Sequence, residues 1–145
     1  MQHPDVAPEN APLWLLERLR AAGLRPTRQR ILLGELLFGG HDRHVTAESL
    51  HEDVVRADAH VSLATVYNTL NQFTSAGLLR SVAVDGARTY FDTNTSDHHH
   101  FYCEWDGSIF DIPDSSKLAI SGVPDAPKGT EIARVDVVVR LKTGR

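Results

Sequence analysis

The sequence predicts an α+β chain, with a mostly helical first part closed by a small hairpin and a shorter, strand-rich α/β part after it. Three patterns carry that expectation. Between residues 12 and 76, apolar residues recur at helical spacing, and Thr27, Thr46 and Ser62 stand where helices would start. Asp85-Gly86 separates two strand-like runs, the signal of a tight hairpin. Near the end, Val135, Val137, Val139 and Leu141 alternate with Asp136, Arg140 and Lys142, broken only by Val138.

Taken in order, residues 1–11 contain Pro4 and Pro8 and little periodicity, and read as a flexible N-terminal arm. Leu13, Leu16 and Leu19, with Trp14 and Leu15 beside them, mark a first helix ending near Gly23. Thr27 opens a second, expected to bury Ile31, Leu32, Leu36 and Leu37 and to stop at Gly39-Gly40. Thr46 caps a third helix, with Glu48 in its first turn. Ser62 caps a fourth, which runs to Ala76 and is closed by Gly77. Leu63, Val66, Leu70 and Phe73 form its apolar stripe; Ala64, Thr65, Asn68, Asn71 and Gln72 lie opposite, with Tyr67 on a flank and no acid among them. Leu79–Val84 and Ala87–Asp92 pair across the turn. After a polar hinge at 94–97, His98–Glu104 and Ser108–Ile112 make a second hairpin, turning at Asp106-Gly107. Residues 113–131 are loop with a short helix near Ser116–Ile120, and the alternating run closes the chain. The expected domains are 12–93 and 98–145.

Composition narrows the function classes. No apolar run approaches the roughly 20 residues needed to span a bilayer, so no membrane partner is expected. The start lacks a basic stretch followed by an apolar one, and Cys103 is the single cysteine; together these predict a cytoplasmic protein without internal disulfides or a four-cysteine structural zinc site. The formal net charge is −4, but Arg18, Arg20, Arg25, Arg28 and Arg30 fall in a stretch without Asp or Glu. Such a run is equally a solvated helix face or a footprint for phosphates.

Helix, connection, helix with a polar outer face, then hairpin is the order of a winged helix-turn-helix. A helix fits the major groove when its outer face lacks bulk and negative charge and offers amides and hydroxyls to base edges. On this reading Ala64, Thr65, Tyr67 and Asn68 face the groove. Arg28 and Arg30 add charge at a helix start, and Arg80 and Arg88 on the hairpin reach the backbone or minor groove.

Of the eight histidines, three are consecutive. In a strand, His98, His100, Tyr102 and Glu104 share one face, while His99, Phe101, Cys103 and Trp105 share the other. Imidazole with carboxylate suits Zn²⁺, Fe²⁺ or Mn²⁺, and imidazole also ligates haem iron, so His98, His99 and His100 are candidate haem ligands and His98, His100 and Glu104 candidate metal ligands. A metal-dependent hydrolase, with Glu104 as base, is the enzymatic alternative, but no H-E-x-x-H helix accompanies it.

Three segments resemble the ferric uptake regulator family: Gly23-Leu24-Arg25-Pro26-Thr27-Arg28-Gln29-Arg30, His44-Val45-Thr46-Ala47-Glu48-Ser49-Leu50, and Ser62-Leu63-Ala64-Thr65-Val66-Tyr67-Asn68-Thr69-Leu70. Tyr90-Phe91-Asp92 and the histidine triplet fall where that family has them. The resemblance implies a homodimeric regulator binding a near-palindromic double-stranded DNA operator. It places Arg25 near the minor groove and Tyr67 against a thymine methyl. It also implies a sensory ion held by His44, Asp92 and His100, bridging the two domains across the hinge. Two departures are visible. Relatives with His-His-His-Asp-His are matched here by His98-His99-His100-Phe101-Tyr102, and many relatives carry Arg at the position of Asn68, so the operator should differ. The triplet followed by Phe, without paired cysteines, is similar to the iron response regulators of alpha-proteobacteria. That branch implies a regulator active under iron limitation and inactivated by haem, with a haem-synthesis protein as the donor. A direct Fe²⁺ or Mn²⁺ repressor and a peroxide sensor are the alternatives within the family.

Overall fold

The computed structural model describes residues 10–85, 88–114 and 117–144. The chain divides into two compact units between Thr95 and Ser96. The expected N-terminal arm lies mostly outside the described residues.

The first unit begins with α1 (Leu13–Ala21), α2 (Arg28–Phe38), a two-residue strand β1 (His44–Val45), α3 (Ala47–Arg56) and α4 (Leu63–Ser75). Caps set the starts of three of these helices. The Thr27 hydroxyl accepts from the Arg30 N–H at 3.3 Å, and the Ser62 hydroxyl from the Thr65 N–H at 3.1 Å. Thr46 and Ser49 cap each other reciprocally, at 3.1 and 3.0 Å. Glycine ends α4: Gly77 takes φ +82°, which lets the Leu78 N–H reach back to the Phe73 carbonyl at 2.9 Å.

Helix phase differs from expectation at three places. In α1 the buried pair is Leu15 and Leu19, one turn apart, while Leu13 and Trp14 are exposed. In α2 the buried residues are Ile31, Leu33, Gly34 and Leu37, with Leu32 and Leu36 half-buried at the margin. In α4 Leu63 is exposed, and Thr69 joins Val66, Leu70 and Phe73 inside; the Thr69 hydroxyl donates to the Thr65 carbonyl at 2.8 Å, which satisfies it there. The buried apolar side chains of the three helices join Leu50, Val54, Leu79 and Phe91 in one apolar core.

Strands β2 (Arg80–Asp85) and β3 (Arg88–Asp92) form the hairpin, and β1 pairs with the other edge of β3, giving the order β1-β3-β2. Asp85 still pairs with Arg88, so it belongs to the strand, and the expected turn residue Gly86 lies outside the described residues. Arg80 does not reach outward as anticipated. It shares an inner face with Val82 and is buried, because alternation along β2 points both the same way.

The second unit has β4 (His100–Cys103), β5 (Ile109–Asp111) and β6 (Val138–Leu141), in the order β5-β4-β6, with β5 antiparallel and β6 parallel to β4. The final strand is shorter than its alternating sequence, and Val135 stays exposed outside it. Of the short helix expected near Ser116–Ile120, Ser116 lies outside the described residues, Lys117 is in a helical turn, and Leu118 to Ile120 are not helical. Among the described residues of this unit the buried apolar side chains are Tyr102 and Cys103, whereas Trp105, Phe110, Ile120, Val123 and Ile132 are exposed.

Candidate nucleic-acid interface and metal centre

Helix α4 presents Ala64, Tyr67, Asn68, Asn71 and Gln72 to solvent, with Thr65 half-buried. Arg25, Arg28 and Arg88 are exposed as well. This is the surface the sequence assigned to DNA. A polar concavity of about 260 Å³, lined by Thr27, Arg30, Thr65, Asn68 and Gln72 among others, separates the start of α2 from α4.

Two details were not visible in the sequence. Arg30 is already engaged: its Nε and Nη2 donate to the Gln72 Oε1 at 3.3 and 3.0 Å, and its Nη1 to the Arg25 carbonyl at 2.9 Å. The guanidinium therefore ties α2 to α4. The acid-free character of α4 also does not extend to its neighbour. Glu48, in the first turn of α3, accepts the Tyr67 hydroxyl proton at 3.0 Å. That bond to a carboxylate, followed by partial burial and the carboxylate's charge, holds the Tyr67 hydroxyl above its usual pKa.

The first unit carries an imidazole–carboxylate pair. Pairing of β1 with β3 sets His44 opposite Asp92. His44 Nε2 lies 3.0 Å from Asp92 Oδ2, and Asp92 Oδ1 accepts the Asn94 N–H at 2.9 Å. Asp92 is fully buried.

The second unit carries a triad. His98 Nε2 lies 3.2 Å and His100 Nε2 3.4 Å from the same oxygen of Asp111. The two rings meet edge to face at 4.5 Å between centroids. His98 Nδ1 lies 2.6 Å from the Ser96 carbonyl, which can only accept. Nδ1 must then carry the proton, and in the neutral ring Nε2 presents its lone pair. Two imidazole nitrogens facing one carboxylate oxygen leave a place that a proton or a cation fills. Asp111 comes from β5, where the register sets it opposite His100. The sequence reading missed it: a two-residue turn at Asp106-Gly107 would set Asp111 opposite Tyr102, whereas the observed register closes over residues 104–107 and brings it to His100.

Two expected ligands stand elsewhere. Glu104 is exposed and pairs with Arg140 at 2.9 Å, past the far end of β4 from His100. His99 Nδ1 accepts the Val137 N–H at 3.1 Å, so its neutral ring has the proton on Nε2 and no free lone pair for iron.

A helix-turn-helix with a hairpin wing, joined to a small sheet bearing histidines and a carboxylate, defines the class of winged-helix regulators with an ion-binding set. The family model of the ferric uptake regulator family matches residues 21–140. The ferric uptake regulation protein of Pseudomonas aeruginosa is 36% identical over 98 residues, spanning 67% of this chain and 73% of that protein. The peroxide-responsive repressor of Staphylococcus epidermidis is 34% identical over 94 residues, spanning 65% and 62%. The solved structure of the P. aeruginosa ferric uptake regulator with manganese superposes with a TM-score of 0.69 at 26% identity, covering 90% of this chain and 98% of that one. The chain belongs to the ferric uptake regulator family and is a metal-responsive transcription regulator, not an enzyme. Among the described residues, no helix is long and apolar enough to cross a membrane.

Proposed function

We propose that the chain is a homodimeric, iron-responsive repressor that reads a near-palindromic operator with α4 and takes Fe²⁺, or Mn²⁺ or Zn²⁺ in its place, on its imidazole and carboxylate side chains. The observation that carries the ion is the convergence of His98 and His100 on one oxygen of Asp111. Nitrogen with carboxylate oxygen is a donor set for divalent ions of this kind. The manganese in the P. aeruginosa relative is in keeping with it. His44 and Asp92 enter the same proposal through the sequence likeness, which has them serve one ion with His100 across the hinge at 94–97. Arg25, Arg28, Arg88, Ala64, Thr65, Tyr67 and Asn68 are the proposed DNA contacts.

Pairing is supported by the second unit, where among the described residues the exposed Trp105, Phe110, Val123 and Ile132 outnumber the buried apolar ones. A unit of 50 residues with so little core gains stability from a second copy.

Haem inactivation is the second reading, resting on His98-His99-His100-Phe101 and the single cysteine. It predicts a regulator active under iron limitation, supplied with haem by a haem-synthesis protein. His98 and His100 are both buried here, so haem ligation by either requires the packing around them to open.

One experiment separates the readings: enrichment of duplexes from a random pool by the purified protein, at fixed salt because phosphate contacts make affinity salt-dependent. It is run metal-free, with Mn²⁺ and with haem, alongside visible spectra. Inverted repeats enriched only with Mn²⁺ support the proposal. Enrichment without added metal that haem abolishes, with a new Soret band, replaces it with the haem reading. No enrichment in any arm overturns both.

A further inference from the structure

The contact between Glu48 and Tyr67 places a carboxylate beside the reading surface, where bare electrostatics would not want one. Phosphates repel it, so it weakens every approach of α4 to DNA, whatever the sequence. Yet it is held in place. Thr46 and Ser49 cap the first turn of α3 on both sides of Glu48. The Glu48 carboxylate accepts from the Tyr67 hydroxyl at 3.0 Å, across two packed helices and 19 residues of sequence. Tyr67 as a whole remains 38% exposed while its hydroxyl proton is committed.

We propose that Glu48 is a specificity-determining positioning residue: by taking the Tyr67 hydroxyl proton, it fixes the ring on α4 and keeps the hydroxyl from donating to phosphates. A tyrosine hydroxyl is a donor that any phosphate oxygen accepts, and phosphate contacts carry no sequence information. With the proton engaged by Glu48, the ring meets base edges and methyl groups instead, contacts that do depend on sequence. The charge of Glu48 and its tether have different signatures. The charge acts on all duplexes equally; the tether acts on the ratio between a chosen duplex and a scrambled one.

This inference rests on the reading of α4 as the DNA-contacting helix. Its test uses the full chain with Mn²⁺, a duplex enriched by the wild-type protein from a random pool, and a scrambled duplex of the same composition, with affinities read by fluorescence anisotropy. Glu48→Ala is expected to tighten binding to the scrambled duplex and to lower the specificity ratio about tenfold, the worth of one hydrogen bond to a charged group. Glu48→Gln, which accepts the same proton without charge, tightens binding to both duplexes but restores most of the ratio. In a Tyr67→Phe background, which has no hydroxyl to hold, Glu48→Ala leaves the ratio unchanged. A merely structural role for Glu48 would lower affinity for both duplexes together and show no rescue by Gln. The proposal is overturned if Glu48→Ala leaves the wild-type ratio intact, or lowers it equally with and without the Tyr67 hydroxyl. Failure of the wild-type protein to enrich any sequence refutes the DNA reading itself, a separate outcome seen before any variant is made.

Discussion

Replacing His44 with Ala tests both the buried pair and its assignment to an ion, and the two consequences have separate sizes. Without metal, the variant loses the 3.0 Å contact to a carboxylate that has no exposure to water. Asp92 keeps the Asn94 N–H, so the loss is that of one hydrogen bond to an acidic group, about 2 kcal/mol. At about 4 °C per kcal/mol for a chain of this size, the metal-free protein should melt about 8 °C lower. With metal, linkage applies. An ion binding only the folded state at 100 times its Kd adds about 2.7 kcal/mol, or about 11 °C. Loss of a direct ligand should cost at least the roughly 100-fold that loss of an outer-shell partner can cost. At the same Mn²⁺ concentration the added stability then falls to about 0.4 kcal/mol, or about 2 °C. Calorimetric melts of wild-type and His44→Ala protein, metal-free and at one Mn²⁺ concentration, give all four numbers. A Mn²⁺ shift of equal size in both proteins would remove His44 from the ion site. An unchanged metal-free melting temperature would show that the buried contact contributes no net stability.

Thr46→Ala removes one half of the reciprocal cap on α3 and should destabilise the chain by about 1 kcal/mol, while Thr46→Ser should not; thermal melts distinguish the two. Arg30→Ala and Gln72→Ala each break the brace between α2 and α4, so their effects on operator affinity should be alike and the double variant no worse than either. If Arg30 instead contacts a phosphate, Arg30→Ala alone should reduce the slope of log K against log salt by about 1.

The helices were legible because their signals are local. Thr27, Thr46 and Ser62 act on backbone groups within three residues, and such bonds need nothing from the rest of the fold. Phase was harder. Ile31-Leu32-Leu33 offers adjacent apolar residues, and only packing against Leu15 and Leu19 decides which of them face inward. The site divided along the same line. His44 and Asp92 were reachable from the resemblance, and His98 and His100 from strand alternation. Asp111 was not, because it depends on β5 register, a pairing between strands. Glu48 was hidden for a related reason: the face of α4 was judged from its own residues, while the acid comes from another helix. Arg80 could have been placed from its own strand, since Val82 two residues on is apolar and shares its side.

The short stretch from Arg43 to Ser49 ties these features together within the first unit. Arg43 precedes His44 and is anchored in three directions: Nη2 donates to Asp53 at 2.8 Å, Nη1 to the Leu36 carbonyl at 3.2 Å, and its N–H to the Thr93 hydroxyl at 2.9 Å. Thr93 is the neighbour of Asp92, so both members of the His44–Asp92 pair adjoin residues of one polar network that reaches α2 and α3. On the other side of His44, Val45 is buried and Thr46 begins the reciprocal cap. Four residues after His44 comes Glu48, whose carboxylate holds Tyr67. A displacement of His44 has little slack to absorb it over that distance, since each intervening residue is buried or bonded on at least one side. Packed side chains and hydrogen-bond networks of this kind can carry coupling when an element along them has two discrete arrangements. On the proposed reading of α4 as the DNA-contacting helix, a change at His44 therefore has a packed and bonded path to Tyr67 within the first unit.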